Sequence, residues 1–301
     1  MASILLAEDS PTHTALIRSI LEDDSHSVRC VGDGQQAMDA IADCRPDLVV
    51  TDLRMPEMNG QELVQQMTQR FADIPSIVVT ARGSEGLAVD ALALGASNFV
   101  PKNSLQKLLT HVVRQTLSMA EMDAVFHGFA GRMNRPEFSM TLQNHVTAIE
   151  PAVLYMVQTL AASTSLNTVE RIRIGTALAS ALFNAMCYGN LELKDEDTLI
   201  SRMLSGEESG GADLKSRADE APFCDRKVEL KVSVGDSDTR FQVAHDGPGR
   251  MTRLTPAPGT PESFELEQCR GLMLMTSFMD DVIFHSDYSS VVMVKTHQPL
   301  D

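Results

Sequence analysis

Short apolar runs alternate with amphipathic stretches over residues 1–118. The runs lie near 3–7, 26–31, 47–52, 76–81 and 97–101. A strand covered on both faces reads as such an unbroken run, and a parallel sheet is covered on both faces. Between the runs, apolar residues recur three and four apart, which is helical spacing. The alternation predicts a five-stranded parallel sheet, doubly wound, with helices on both faces. Ser10-Pro11 fits the start of the first helix, with Ser capping and Pro at the first helical position. Asn59-Gly60 closes the turn after the third run. From Ser104 the helical spacing continues through Gln106 to Leu117 and on towards Phe126. That segment is the last helix of the α/β unit, or a longer signalling helix through which two copies pair as a homodimer.

The period is lost at 127–136, His-Gly-Phe-Ala-Gly-Arg-Met-Asn-Arg-Pro. Two Gly and one Pro mark this as a linker. The expected division is thus 1–118, an extended helix and linker over 119–136, and a second domain over 137–301. The second pattern differs. A strand is expected at 137–142 and helices near 147–162 and 167–188. Residues 201–226, rich in Ser, Gly, Glu and Asp, are expected to form a polar, mobile excursion. Strands at 227–233 and 240–244 join at Gly235-Asp236. A Gly/Pro-rich stretch, a helix near 270–279 and strands near 281–285 and 290–295 complete the chain. Helices first and an antiparallel sheet afterwards indicate an α+β domain.

The length of 301 residues suits two domains. A net charge of −16, with no Lys/Arg-rich run, disfavours nucleic acid as a partner. The five cysteines are scattered without CxxC spacing, so neither a zinc site nor a disulfide framework is indicated, and a reducing cytoplasm fits. The N-terminus enters a strand directly, without the charged and apolar regions of a signal peptide. No apolar run approaches the roughly 20 residues of a membrane span. No membrane partner is therefore expected.

Carboxylates collect at the expected strand ends. Asp52 ends Asp47-Leu-Val-Val-Thr-Asp52, and Glu8-Asp9 follows Ile4-Leu-Leu-Ala7. In open α/β sheets the region beyond the carboxyl ends of the strands is where sites lie. Three carboxylates there make an oxygen-rich nest for a hard cation such as Mg²⁺. Thr80 and Lys102 follow two further runs. A hydroxyl and an ammonium converging on carboxylates and a cation suit the transfer of a phosphoryl group onto a carboxylate. The set, in this order and spacing, resembles the receiver domain of two-component response regulators. The resemblance implies that Asp52 is the phosphoacceptor. Glu8, Asp9 and Asp52 would hold Mg²⁺ with help from the Arg54 carbonyl, Thr80 and Lys102 would bind the phosphoryl oxygens, and Phe99 would be the switch aromatic. It also implies a cognate sensor histidine kinase or phosphotransfer protein as partner.

Three segments of the second half carry chemistry: Asn184 to Asn190 at a helix end, His245-Asp246-Gly247-Pro248-Gly249 after a strand, and Cys269-Arg270-Gly271 opening a helix. Glycines after a strand admit a ligand close to backbone, a Gly at a helix start leaves amides for phosphate, and an Asn oxygen completes a Mg²⁺ shell. Together they resemble the gyrase/histidine-kinase (GHKL) ATPase superfamily, nearest its anti-sigma-factor serine kinase branch, over about 137–297. The resemblance implies an α+β two-layer sandwich with ATP held near Asn184, Asp246, Gly247, Gly249, Arg270 and Gly271. The branch's catalytic Glu falls at Ser180 and its adenine-binding Asp at His245. Its Gly-x-Gly is Cys269-Arg270-Gly271, and a Gly of the closing strand pair falls near Tyr288. These departures put ATP in doubt. Two functions stay open: an Asp52-controlled, degenerate ATPase-like module that binds a regulatory protein, or a gated serine/threonine kinase of an anti-sigma-antagonist-type protein. His111 and His145 are phosphoacceptor candidates by position only.

Overall fold

The computed structural model describes residues 1–81, 85–126, 137–194, 199–200, 202, 208–235, 237–248 and 267–298. The chain divides into two compact units, built chiefly on residues 1–120 and on the remainder.

The first unit is the expected doubly wound sheet. Strands β1 (Ser3–Ala7), β2 (Ser27–Val31), β3 (Leu48–Asp52), β4 (Ser76–Thr80) and β5 (Asn98–Pro101) pair in parallel in the order β2-β1-β3-β4-β5. Helices α1 (Pro11–Asp23), α2 (Gly34–Asp43), α3 (Gly60–Arg70), α4 (Glu85–Leu94) and α5 (Leu105–Phe126) alternate with them. Every residue of β3 and β4 is buried, which explains their unbroken apolar runs. Leu5, Ala7 and Val49 pack with α2 and α3 residues such as Ile41 and Leu63. Ile4, Leu6 and Val50 alternate onto the opposite face and are equally buried. Pro11 opens α1, though Ser10 makes no side-chain cap bond. Asn59 caps α3 in a reciprocal pair with Glu62.

The second unit carries an antiparallel sheet in the order β6-β7-β8-β10-β9. Its strands are β6 (Glu137–Gln143), β7 (Lys227–Val234), β8 (Asp238–His245), β9 (Asp281–Phe284) and β10 (Ser290–Thr296). Val228, Leu230, Val232, Phe241, Val243, Val291 and Met293 alternate onto one buried face. The helices are α6 (Ile149–Ser163), α7 (Thr168–Asn184), α8 (Glu208–Asp219) and α9 (Glu267–Phe278).

Three expectations change. The helix expected to run to Tyr188 ends as an α-helix at Asn184, and Ala185–Asn190 continue as a π-helical turn. The Leu191 amide there reaches back five residues to the Met186 carbonyl at 2.8 Å. The supposed polar excursion contains α8, because Leu214 and Ala218, four apart, bury one stripe against Cys187, Tyr188 and Leu191. Phe223 packs there too, between the guanidiniums of Arg217 and Arg226. Finally, α9 begins at Glu267, so Gly271 lies inside the helix rather than at its start. The 127–136 linker, Asp236 and most of the Gly/Pro-rich stretch lie outside the described residues.

Candidate functional site: an acidic pocket and a second, inward-turned cluster

β1 and β3 are neighbours in the first sheet, so Glu8, Asp9 and Asp52 come together at their carboxyl ends. One oxygen from each lies within 4.8 Å of the others. Glu8 and Asp52 are buried, while Asp9 is exposed. Three hard oxygen donors from short side chains fit a divalent cation such as Mg²⁺. Asp52 is held from both sides. Its Oδ1 accepts the Leu53 amide at 2.7 Å, and its Oδ2 accepts Lys102 Nζ at 2.9 Å. Lys102 Nζ also lies 2.8 Å from Glu8 Oε2 and 3.2 Å from His13 Nδ1. Burial alone would push the Lys102 ammonium down. Hydrogen bonds and charge from Glu8 and Asp52 outweigh it and hold the ammonium above the ordinary lysine value. Thr80 ends β4 and is buried, and Phe99 is buried on β5. Gly60 is forced by contact: a Cβ there would meet the Asp52 carbonyl oxygen at 2.1 Å. His13 belongs to none of the motifs read from the sequence. Its place four residues past Asp9, in the first turn of α1, was the available signal.

The second cluster also assembles, but its polar groups face inwards. Ser180 Oγ donates to the Thr176 carbonyl at 3.0 Å. Asn184, one turn on, is buried, and its Nδ2 has no hydrogen-bond partner among the described residues. A Cβ at Gly271 would stand 3.4 Å from Asn184 Oδ1 and from Ser180 Cβ, ordinary contact distances, so α9 lies against α7 here without requiring a glycine. Five residues into its helix, the Gly271 amide lies beyond the four unbonded ones at a helix start. The Gly247 amide donates to Asn190 Oδ1 at 2.8 Å, and Asn190 Nδ2 donates to the Lys227 carbonyl. A Cβ at Gly247 would strike the Gly189 carbonyl at 2.2 Å. The Asp246 carboxylate accepts the Lys227 amide at 3.0 Å and so fastens the end of β8 to β7. Arg270 is buried on α9, and Gly249 lies outside the described residues.

His245 is buried, with Nε2 3.3 Å from the Tyr288 carbonyl. Since that oxygen only accepts, Nε2 carries the proton. Burial lowers the pKa of this imidazole, outweighing its backbone contacts to Tyr288 and Gly247, so the ring is held neutral. A Cβ at Gly189 would lie 2.6 Å from the ring. Tyr288 itself takes φ 60°, a left-handed conformation that favours glycine. Two of the departures from the ATPase pattern, His245 and Tyr288, are therefore in contact. The base-recognition side lacks the carboxylate that would accept from an adenine amino group: an imidazole stands there, its Nε2 bonded to the Tyr288 carbonyl and its buried Nδ1 without a hydrogen-bond partner among the described residues.

A parallel sheet with a carboxylate nest is thus followed by a separate antiparallel sheet with a π-turn and a glycine cluster. Residues 4–114 match the response regulator receiver domain family, and residues 142–295 match the histidine kinase-like ATPase domain family. The chain belongs to these families: it is a response regulator receiver domain fused to a histidine kinase-like ATPase domain. Response regulator MprA of Mycolicibacterium vanbaalenii is 36% identical over 110 residues, covering 36% of this chain and 48% of MprA. Regulatory protein LuxO of Vibrio cholerae is 35% identical over 97 residues, covering 32% of this chain and 21% of LuxO. The match thus spans about half or less of these curated relatives. Among solved structures, the signal receiver domain of a putative Luxo repressor protein from Vibrio parahaemolyticus is 28% identical, with a TM-score of 0.39, covering 41% of this chain and 95% of that one. No helix among the described residues is long and apolar enough to cross a membrane.

Proposed function

We propose that this chain is a phosphorylation-gated switch whose ATPase-like half acts by binding a regulatory protein. A sensor histidine kinase or phosphotransfer protein donates the phosphoryl group. An Asp52 carboxylate oxygen attacks phosphorus, the donor's bond to phosphorus breaks, and an aspartyl phosphate forms. The Leu53 amide and Lys102 orient the carboxylate, and Lys102 then donates to the phosphoryl oxygens. Glu8, Asp9 and Asp52 would hold Mg²⁺, which offsets the charge on those oxygens when bound. Thr80 supplies a hydroxyl to the phosphoryl group and, with Phe99, biases the fold. The switch operates in the cytoplasm. Resemblance to the anti-sigma-factor kinase branch suggests a small regulatory protein as the output partner.

One observation carries the output half of this reading: Ser180 stands where the branch has its catalytic Glu, and its hydroxyl is bonded to Thr176. A serine hydroxyl is no general base near neutral pH. The test uses the full chain with Mg²⁺ and beryllofluoride. Amide hydrogen exchange within 137–298 should change in the wild type and not in Asp52→Asn, while ATP turnover stays far below about 1 s⁻¹. Turnover at that rate or above sinks the binding-module reading.

A further inference from the structure

The Lys102 ammonium has three N–H donors and can only donate. It is hydrogen-bonded to Asp52 Oδ2 and His13 Nδ1 and ion-paired with Glu8 Oε2 at 2.8 Å, and the same His13 Nδ1 lies 3.6 Å from Glu8 Oε1. The imidazole is a partner of a different kind. Nδ1 must present its lone pair to the ammonium, which leaves the ring proton on Nε2. The His13 side chain is 41% exposed, and it rises from the first turn of α1 over the wholly buried Glu8 carboxylate. Lys102 is thus bonded by two anions that are also the candidate cation ligands, and by one imidazole that is not.

The two anionic partners cannot serve Lys102 and a divalent cation equally. A hard cation at Glu8, Asp9 and Asp52 draws carboxylate oxygen more strongly than an ammonium does, and it repels the ammonium. The Lys102 side chain is only 13% exposed, so water is a poor substitute for lost partners. We propose that His13 is a positioning residue for Lys102: it keeps the ammonium ordered at the pocket mouth when a divalent cation takes Glu8 and Asp52. Lys102 then stays within reach of an incoming phosphoryl oxygen. The inference rests on reading Asp52 as the phosphoacceptor beside a cation site.

Titration calorimetry of the full chain with Mg²⁺ alone, without a phosphodonor, tests it. His13→Ala and His13→Phe should weaken Mg²⁺ binding by about tenfold, the scale of one lost bond to a charged group. His13→Asn, whose Oδ1 offers an acceptor near the place of Nδ1, should stay within about twofold of wild type. Labelling by acetyl phosphate at saturating Mg²⁺ should follow the same order, slow in Ala and Phe and restored in Asn. Asp9→Asn is the control for the underlying site. If Asp9→Asn weakens Mg²⁺ binding but His13→Ala and His13→Phe bind and label as wild type, His13 has no positioning role. If Asn behaves like Ala, the acceptor is not what His13 supplies, and the inference is equally overturned. If Asp9→Asn leaves Mg²⁺ binding unchanged, the cation-site reading itself fails and takes the inference with it.

Discussion

The two halves handle polar side chains in opposite ways. In the receiver pocket they bond one another: Lys102 joins Asp52 and Glu8, and one carboxylate oxygen from each of three residues converges. In the ATPase-like half most of the corresponding groups bond backbone, while Asn184 Nδ2 is left without a partner among the described residues. Ser180 takes a carbonyl within its own helix, His245 takes Tyr288, Asp246 takes Lys227 and Asn190 takes Gly247. A charged group that needs a partner is open to exchange when a cation or phosphoryl group arrives. A group satisfied by backbone has nothing to gain from a ligand unless the fold gives way. The first arrangement can exchange partners when a ligand arrives, whereas in the second most side-chain groups already bond backbone.

The largest expected effect breaks the receiver side. Asp52→Asn should abolish Mg²⁺-dependent labelling by acetyl phosphate, because the anionic nucleophile is gone and the cation site is weakened. Phosphate incorporated into the purified variant is the measure, and Mg²⁺-dependent label persisting there would remove Asp52 as acceptor.

Next comes an attempt to reverse the output side. Absence of a general base costs about 10²–10⁴ in rate, so wild-type phosphotransfer should lie below detection. Ser180→Glu with His245→Asp restores the two family residues. Nucleotide affinity by calorimetry and γ-phosphate transfer by radiolabel should both rise in the double variant. No gain in either would mean that the backbone approach of Gly189 to Gly247 has closed the site independently.

A smaller effect sharpens the link between the halves. Lys102→Ala should still accept phosphate, though more slowly than wild type, yet hydrogen exchange within 137–298 should no longer respond, since the reporting ammonium is missing. A wild-type exchange response in this variant would make Lys102 purely structural.

The smallest effect is a pH dependence. His245 titrates below its ordinary value of 6.5 in the folded chain. The unfolded chain therefore takes up its proton first as pH falls. The stability contributed is complete above about 6.5 and is lost as pH drops from there through the folded-state value. Denaturant melts of wild type and His245→Gln across this window should differ in slope, with the variant flatter. Parallel slopes would mean that His245 is not held neutral in the fold.

Most of the receiver was legible from sequence because its strands are buried on both faces and its site residues end those strands. Asp52, Glu8 and Thr80 follow from where an apolar run stops. His13 was not legible, because its contact depends on the angle at which α1 leaves Ser10. In the second domain, alternation over 227–234 and 238–245 disclosed the strands. The π-turn at Ala185–Asn190 has the same apolar content as an α-helix and left no periodic trace. Helix α8 was hidden because only Leu214 and Ala218 mark its buried stripe within a Ser-, Gly- and Asp-rich run. The glycine motifs were recognisable, but whether each glycine admits a ligand or a neighbouring backbone depends on three-dimensional approach. At Gly247 that approach is internal, to the Gly189 carbonyl.

The pairing of β6 with β7 joins Glu137 to Ser233 and Gln143 to Lys227. During synthesis, the receiver strands each find a partner soon after emerging. β6 emerges with Phe138, Met140 and Leu142 on one side and waits for more than 80 residues of further chain before β7 exists. Closing so long a loop is slow compared with local pairing, and an unpaired edge strand is an invitation to other chains. A nascent or truncated chain ending between 143 and 227 thus presents a finished receiver trailing an adhesive strand. The expected consequence is that truncations ending between 143 and 227 aggregate more readily than the full chain.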